Sequence, residues 1–433
     1  MSNITRRDFV KLTAGATAVG MVGFPFIARG AGKKVVVIGG GAGGTIAAKY
    51  IRLADPSVEV TLVEQNPDYY TCFLSNEVLT GERTLDSLKF GYKNLASNHG
   101  IKVVPKEAIG IDPGAKKVSL AGGEKLSYDK LIVSPGVELK FDAIAGYSDK
   151  VIDKIPHAWK AGPQTTLLRK QLESVKDGGV IVISAPADPY RCPPGPYERA
   201  SLMAHYLKTH NKSKCKIIIM DAKEKFSKQG LFQEGWTAMY GFGTPNSMIE
   251  WRPASAEGKV TKVDAATMTV TAGELDSVTK ADLINIIPPQ MAGKIAQVSG
   301  LTDDKGWCPV NKATFESTKA KDVYVIGDAC SAAEMPKSAY AANSQAKVCA
   351  AAVVASLKGE EPPVPTYVNT CYSILGEDWG ISVAGVYRLE GDIIKSVPNS
   401  GGISPAKAPA AMRKREVAYA HSWFKNIVHD MFD

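Results

Sequence analysis

Short uninterrupted apolar runs, mostly β-branched, recur along this chain: Val35–Ile38, Leu131–Val133, Val180–Ile183, Ile217–Met220 and Val323–Ile326. Runs of this length that do not alternate with polar residues read as strands buried on both faces, the mark of a parallel sheet. Between them lie stretches with helical character, Thr45–Arg52, Arg199–Thr209 and Ala341–Ala355. Strand and helix in turn predict an α/β fold of doubly wound, Rossmann-like units. Short strands are also expected at Ile101–Val104 and Lys117–Leu120.

The pattern changes after Pro362-Pro363-Val364-Pro365. Residues 367–374 alternate, with Val368, Tyr372 and Ile374 on one face and Asn369, Cys371 and Ser373 on the other. The tail from Arg413 to Asp433 reads as a helix with a narrow apolar stripe of Trp423/Phe424, Ile427/Val428 and Met431/Phe432. Such a stripe packs on its own domain, on a partner, or on a membrane surface. The expected organisation is a leader (1–30) and a dinucleotide domain (31–145 and 286–358) interrupted by a nucleotide-like insert (146–285). A C-terminal α+β interface domain (359–433) follows.

The strand at Val35 runs into Gly39-x-Gly41-x-x-Gly44 and then into a helix. Glycine suits a tight turn where a pyrophosphate approaches backbone N–H groups closely. A second strand, Val58–Val63, ends at Glu64, about 20 residues on, where a carboxylate accepts hydrogen bonds from a ribose. Gly39, Gly41, Ala42, Gly44, Glu64 and Gln65 therefore form a candidate dinucleotide site. Ser134 and Gly136, in the turn that closes the strand running from Tyr128, and Gly327-Asp328, after Val323–Ile326, complete it. Cys72 leaves the same sheet edge and is either close to the dinucleotide or a small buried hydrophobe.

The insert opens like a second such unit at Val180–Ala185, but no glycine fingerprint follows. Pro186, Pro189, Pro193, Pro194 and Pro196 crowd the turn instead, and proline has no N–H to offer a phosphate. The insert reads as a nucleotide domain without a nucleotide, which leaves the first cradle as the expected dinucleotide site.

Composition narrows the picture. Net charge is +8, and four of the basic residues (Arg6, Arg7, Lys11 and Arg29) lie in the first thirty positions. The remainder is mildly basic, without the arginine-rich runs of nucleic-acid binding. Thr5-Arg6-Arg7-Asp8-Phe9-Val10-Lys11 reads as a twin-arginine signal, with cleavage expected near Ala31 and export to the bacterial periplasm. The apolar stretch Leu12–Ile27 is too short and glycine-rich to span a membrane, and no transmembrane segment is expected. None of the seven cysteines forms a CxxC pair or a CxxCH motif, so neither a zinc site of the usual spacing nor an attached c-type haem is expected. Cys215, Cys308, Cys330 and Cys349 read as structural.

The glycine fingerprint, Glu64, Ser134-Pro135-Gly136 and Gly327-Asp328 are similar to those of the glutathione-reductase-type flavoproteins. Within that superfamily the leader, Tyr70-Thr71-Cys72, the segment Tyr190–Glu198 around Cys192, and Thr370-Cys371-Tyr372 resemble the flavoprotein subunits of flavocytochrome c sulfide dehydrogenase. The resemblance covers nearly the whole chain. It implies FAD attached covalently through Cys72, and a redox-active Cys192–Cys371 disulfide beside the flavin. It also implies an acid/base at Glu198, a tryptophan near the site at Trp423, sulfide as substrate, and a c-type cytochrome subunit as partner in a heterodimer.

Two other readings stay open on the residues. A sulfide:quinone oxidoreductase would use the same disulfide with a membrane quinone, and the tail stripe favours it. A non-catalytic flavoprotein scaffold would not need Cys192 at all.

Overall fold

A computed structural model describes residues 32–433; the twin-arginine segment lies outside the described residues. Two parallel sheets form its centre. In the first, the strand order is Val323–Val325, Lys130–Val133, Lys34–Ile38, Glu59–Val63, Lys102–Val104, every neighbour parallel. Val35, Val37, Leu62, Leu131 and Val323 have no appreciable exposure, which is why these runs need no polar alternation. The second sheet orders Ile249–Arg252, Lys216–Asp221, Val180–Ala185 and Leu283–Ile286, again all parallel. Both α/β units expected from the apolar runs are present. Lys117–Leu120 does form a strand, but in a separate antiparallel sheet with Ala108–Asp112 and Lys125–Ser127.

Helix ends depart from the sequence reading where proline and serine set them. The helix expected from Arg199 begins at Gly195. Pro196 fits its first turn, where a missing N–H is no loss. The alanine-rich helix spans Ala339–Lys358 because the Ser338 hydroxyl accepts the Ala341 N–H at 3.1 Å and caps it.

The third region is an antiparallel pair, Thr366–Gly376 with Trp379–Glu390, extended by two short strands and packed by the tail helix Ala410–Phe432. The apolar stripe of that helix faces the chain itself: Phe424, Ile427, Val428, Met431 and Phe432 are all buried. Phe432 stacks on Phe90 with centroids 5.2 Å apart, and the Arg83 guanidinium lies over Phe424. His421 Nε2 meets the buried Glu77 carboxylate at 2.5 Å, and Arg83 donates to the other Glu77 oxygen at 2.7 Å. The stripe is covered within the chain, but largely by Tyr69, Phe73, Phe90 and Tyr92 of the dinucleotide domain rather than by its own C-terminal domain.

The strand carrying Cys371 is oriented against simple amphipathic expectation. Its polar face is the inner one: Asn369 and Ser373 are 2% and 1% exposed, whereas Val368 is 38% exposed. A polar face turned inward needs partners there, and it supplies half of the site described next.

Candidate functional site: one cavity between three sheets

A cavity of about 1080 Å³ is lined by the glycine loop, by the segment around Cys192 and by the Cys371 strand. Among the candidate residues, Gly39, Gly41, Ala42, Glu64, Gln65, Cys72, Ser134, Gly136, Cys192, Glu198, Gly327, Asp328, Cys371 and Trp423 all line it. Gly44 does not. A Cβ there would lie 1.8 Å from the Gly39 carbonyl oxygen, so its task is to let the helix Gly44–Ala54 sit on the first strand.

The glycine loop is built for close approach. Gly39 has φ +101°, and a Cβ on it would meet the Ser134 carbonyl oxygen at 2.2 Å. Glu64 braces the loop from the neighbouring strand end: its Oε2 accepts the Gly40 N–H at 2.8 Å, and its Oε1 accepts from Asn66. A carboxylate has about four lone-pair positions, so these bonds leave capacity for a ribose hydroxyl.

Four buried polar atoms on cavity-lining residues lack a hydrogen-bond partner: Tyr92 Oη, Trp159 Nε1, Trp423 Nε1 and Asp328 Oδ1. Unsatisfied buried groups are uncommon and costly. Their gathering around one cavity, with the glycine cradle, fits a long polar ligand such as FAD. Burial also pushes the Asp328 carboxyl above its ordinary value, against the pull of Arg191 and Lys337.

Cys72 approaches the same space from the loop after Asp68–Tyr70, with its Sγ 3.8 Å from the Trp159 carbonyl. Trp423 reaches the cavity from the tail helix and packs with Phe73, Tyr340 and Tyr372.

Cys192, in the loop between the strand Val180–Ala185 and the helix Gly195–Thr209, and Cys371, on the strand Thr366–Gly376, line the same cavity, and all seven cysteines are free thiols in this structure. Cys192 adopts a left-handed backbone, φ +59°, uncommon outside glycine. Its N–H donates to the Lys337 carbonyl at 2.8 Å, and its carbonyl accepts the Gly195 N–H at 2.8 Å. A Cβ on Gly195 would stand 3.0 Å from the Cys192 sulfur, so glycine at the start of the helix Gly195–Thr209 makes room for the thiol. Burial pushes the Cys192 thiol well up, and Glu198 and Cys371 add to the shift. Cys371 is pushed up by burial too, but Lys228 and the side chains of Ser338 and Asn369 pull it back.

Glu198 ties the two cysteine segments together. It is 8% exposed. Its Oε1 accepts the Ile374 N–H at 2.9 Å on the Cys371 strand, and its Oε2 accepts from Asn76 at 3.0 Å. Burial raises its carboxyl above the ordinary value, and those two bonds only partly offset that.

The other cysteines, Cys215, Cys308, Cys330 and Cys349, are all buried and lie away from the cavity lining.

Sequence reasoning missed several contributors. Asn76, Tyr92 and Trp159 stand in stretches with no motif. Arg191 lies inside the Tyr190–Glu198 segment and donates to the Trp159 carbonyl, yet the sequence reading assigns it no role of its own. Lys228 belongs to the polar run Lys223–Lys228, which reads as a solvated loop, but it is 8% exposed and donates to the Ser373 hydroxyl at 2.9 Å.

The insert also shows why a second cradle is lacking. Asp221 ends the strand Lys216–Asp221, the place where a Rossmann unit keeps its ribose-binding acid. Here it is fully buried and already engaged by the Tyr197 hydroxyl at 2.5 Å, the Trp251 indole at 3.0 Å and Lys223 at 2.7 Å.

Fold and cavity together define a flavoprotein oxidoreductase of the two-dinucleotide-domain type, and residues 33–171 match the pyridine nucleotide-disulphide oxidoreductase family. Residues 165–288 match the central region of the sulfide dehydrogenase [flavocytochrome c] flavoprotein chain, and residues 363–432 match the flavocytochrome c sulphide dehydrogenase flavin-binding region. The chain belongs to the family of flavocytochrome c sulfide dehydrogenase flavoprotein chains.

It is 56% identical over 46 residues to such a flavoprotein chain from Chlorobaculum thiosulfatiphilum, a match covering 11% of this chain and 96% of that sequence. It is also similar to the mitochondrial sulfide:quinone oxidoreductase of Mus musculus, 24% identical over 76% of this chain and 72% of that protein. The solved structure of the sulfide:quinone oxidoreductase from Aquifex aeolicus shares the fold, with a TM-score of 0.71 and 18% identity over 92% of each chain.

Proposed function

We propose that this protein oxidises sulfide with a Cys192–Cys371 redox disulfide and FAD, and passes the electrons to a c-type cytochrome subunit. The observation that carries the reading is the meeting of Cys192, Cys371 and Glu198 on the wall of the same cavity as the glycine cradle. Sulfide is a soft nucleophile and a disulfide is its matching electrophile. Bound FAD supplies an acceptor that takes electrons in pairs and releases them singly. The chain's own residues then have separable tasks. Gly39, Gly41, Glu64 and Asp328 hold the dinucleotide, the two cysteines exchange sulfur, and Glu198 locks their segments in register and handles a proton. No nicotinamide is required, which agrees with the proline-rich turn and with an Asp221 already consumed by its own neighbours.

The test is an anaerobic titration of the purified protein with sulfide, followed at the flavin absorbance, with cytochrome c or decyl-quinone then added as acceptor. Bleaching by sulfide followed by rapid reoxidation with cytochrome c is expected. A preparation that sulfide cannot bleach would remove the reading.

A quinone acceptor is favoured by the likeness to sulfide:quinone oxidoreductases, and rapid turnover with decyl-quinone but none with cytochrome c would establish it. Against it, the apolar stripe of the tail helix is buried on its own chain. No helix among the described residues is long and apolar enough to cross a membrane. Export to the periplasm by the twin-arginine route is part of the same reading and rests on Arg6-Arg7 and its flanks.

Covalent attachment of FAD through Cys72 is supported by its thiol lining the cavity beside Trp159. Acid precipitation should leave the yellow colour in the pellet of the natural protein and release it to the supernatant from Cys72→Ser. Colour in the supernatant from both would rule out the linkage.

A further inference from the structure

The two thiols do not share one electrostatic environment. Cys371 and Ser373 are two positions apart on one strand, so their side chains leave the same face about 7 Å apart. Ser373 accepts a hydrogen bond from Lys228 Nζ at 2.9 Å. Lys228 itself is 8% exposed and takes a left-handed backbone, φ +59°, immediately before the helix Gln229–Tyr240. A buried ammonium is costly unless charges or dipoles compensate it. Burial pulls its ammonium below the ordinary lysine value, and the charges that oppose this are, in order, those of Cys371, Glu198, Cys192 and Glu416. Lys228 is thus a buried cation whose strongest charge partner is one of the two reacting sulfurs.

We propose that Lys228 is a positioning residue: held on the Ser373 hydroxyl, its ammonium makes Cys371 the thiolate of the pair, so that sulfide attacks the Cys192 sulfur. The inference rests on the disulfide reading above. Hydrosulfide forms a bond to the Cys192 sulfur as the Cys192–Cys371 bond breaks. The bonding pair leaves on the Cys371 sulfur as thiolate, and the hydrosulfide proton stays on the terminal persulfide sulfur. No other oxidant or reductant enters this step.

The groups facing each thiol agree with this direction. Cys371 is influenced by Lys228, by Ser338 and Asn369, which favour its thiolate, and by Glu198, which opposes it. Cys192 meets Glu198 and Cys371 first, both opposing its ionisation, and only then Arg191 and Lys228.

The experiment uses the reduced, flavin-loaded protein and reads each thiol separately. Iodoacetamide alkylation of Cys192 and Cys371 is followed by peptide mass mapping across a pH series, for the natural protein, Lys228→Met and Lys228→Arg. Removing the cation shifts Cys371 ionisation to higher pH, and a shift of one unit is tenfold in thiolate below the midpoint. Lys228→Met should therefore slow Cys371 alkylation at neutral pH by about tenfold and Cys192 by much less. Lys228→Arg should restore most of the rate.

Unchanged Cys371 alkylation in Lys228→Met, or equal slowing of both thiols, would overturn the proposal. If Lys228→Met does not fold with its flavin, Ser373→Ala decides: selective slowing of Cys371 supports the assignment, and no change refutes it. Because alkylation needs no sulfide, this result stands apart from the bleaching titration.

Discussion

Replacing Cys192 by serine should abolish sulfide-dependent bleaching of the bound flavin, a loss of at least about 10³-fold in rate, in the range seen when a residue that forms the covalent intermediate is removed. A serine keeps the size and the hydrogen-bonded backbone of the segment but cannot form a sulfur–sulfur bond. Among the described residues Cys72 is the only other cysteine on the lining besides Cys371, and in the proposal above its sulfur is taken up by the cofactor. Flavin content should be unchanged, because Cys192 belongs to the loop before the helix Gly195–Thr209 and not to the glycine cradle. Stopped-flow absorbance under anaerobic conditions reads the effect directly. A Cys192→Ser protein that bleaches at the natural rate would point to a flavoprotein that meets sulfide elsewhere, or to the scaffold reading.

The second large effect is expected from Gly39→Ala, which should leave the purified protein with little or no flavin. The added methyl would have to occupy a point 2.2 Å from the Ser134 carbonyl oxygen and 2.9 Å from its carbon. Those are backbone atoms at the end of the neighbouring strand, so no rotamer change relieves the contact. The φ of +101° adds a conformational cost on the order of 1–3 kcal/mol for a residue with a Cβ. Gly359, which ends the helix Ala339–Lys358 away from the cavity, is the control. It too has positive φ, +73°, but a Cβ there meets nothing within 4 Å, so Gly359→Ala should cost only about 1–2 kcal/mol and leave the flavin in place. Flavin-to-protein absorbance ratio and thermal midpoint separate the two variants. Full flavin retention in Gly39→Ala would show that the loop moves to accept the methyl.

The sequence exposed some parts of the site and hid others, for physical reasons. The glycine cradle is local: strand, turn and helix follow one another in the chain, and each residue type answers a backbone demand made by its neighbours. The alternation of residues 367–374 was also legible, but its sense was not. Hydropathy alone would turn Asn369 and Ser373 outward. The structure turns them inward because Ser338 donates to Asn369 at 2.6 Å and Lys228 donates to Ser373. Lys228 had no local signature at all. A lysine among Lys223, Glu224 and Lys225 looks solvated until a distant strand covers it.

Local chemistry along the chain thus determined the α/β class, the phosphate-cradling turn and the loss of a second cradle. Each depends on φ preferences, N–H supply and apolar periodicity within about a dozen residues. Tertiary structure alone decided that Cys192 and Cys371 share a cavity, that Glu198 bridges their segments, and that the buried Lys228 donates to Ser373, two positions from Cys371. Those relations join residues on elements far apart in the chain. They are set by strand pairing and by the burial of charge, neither of which leaves a trace in the order of neighbouring residues.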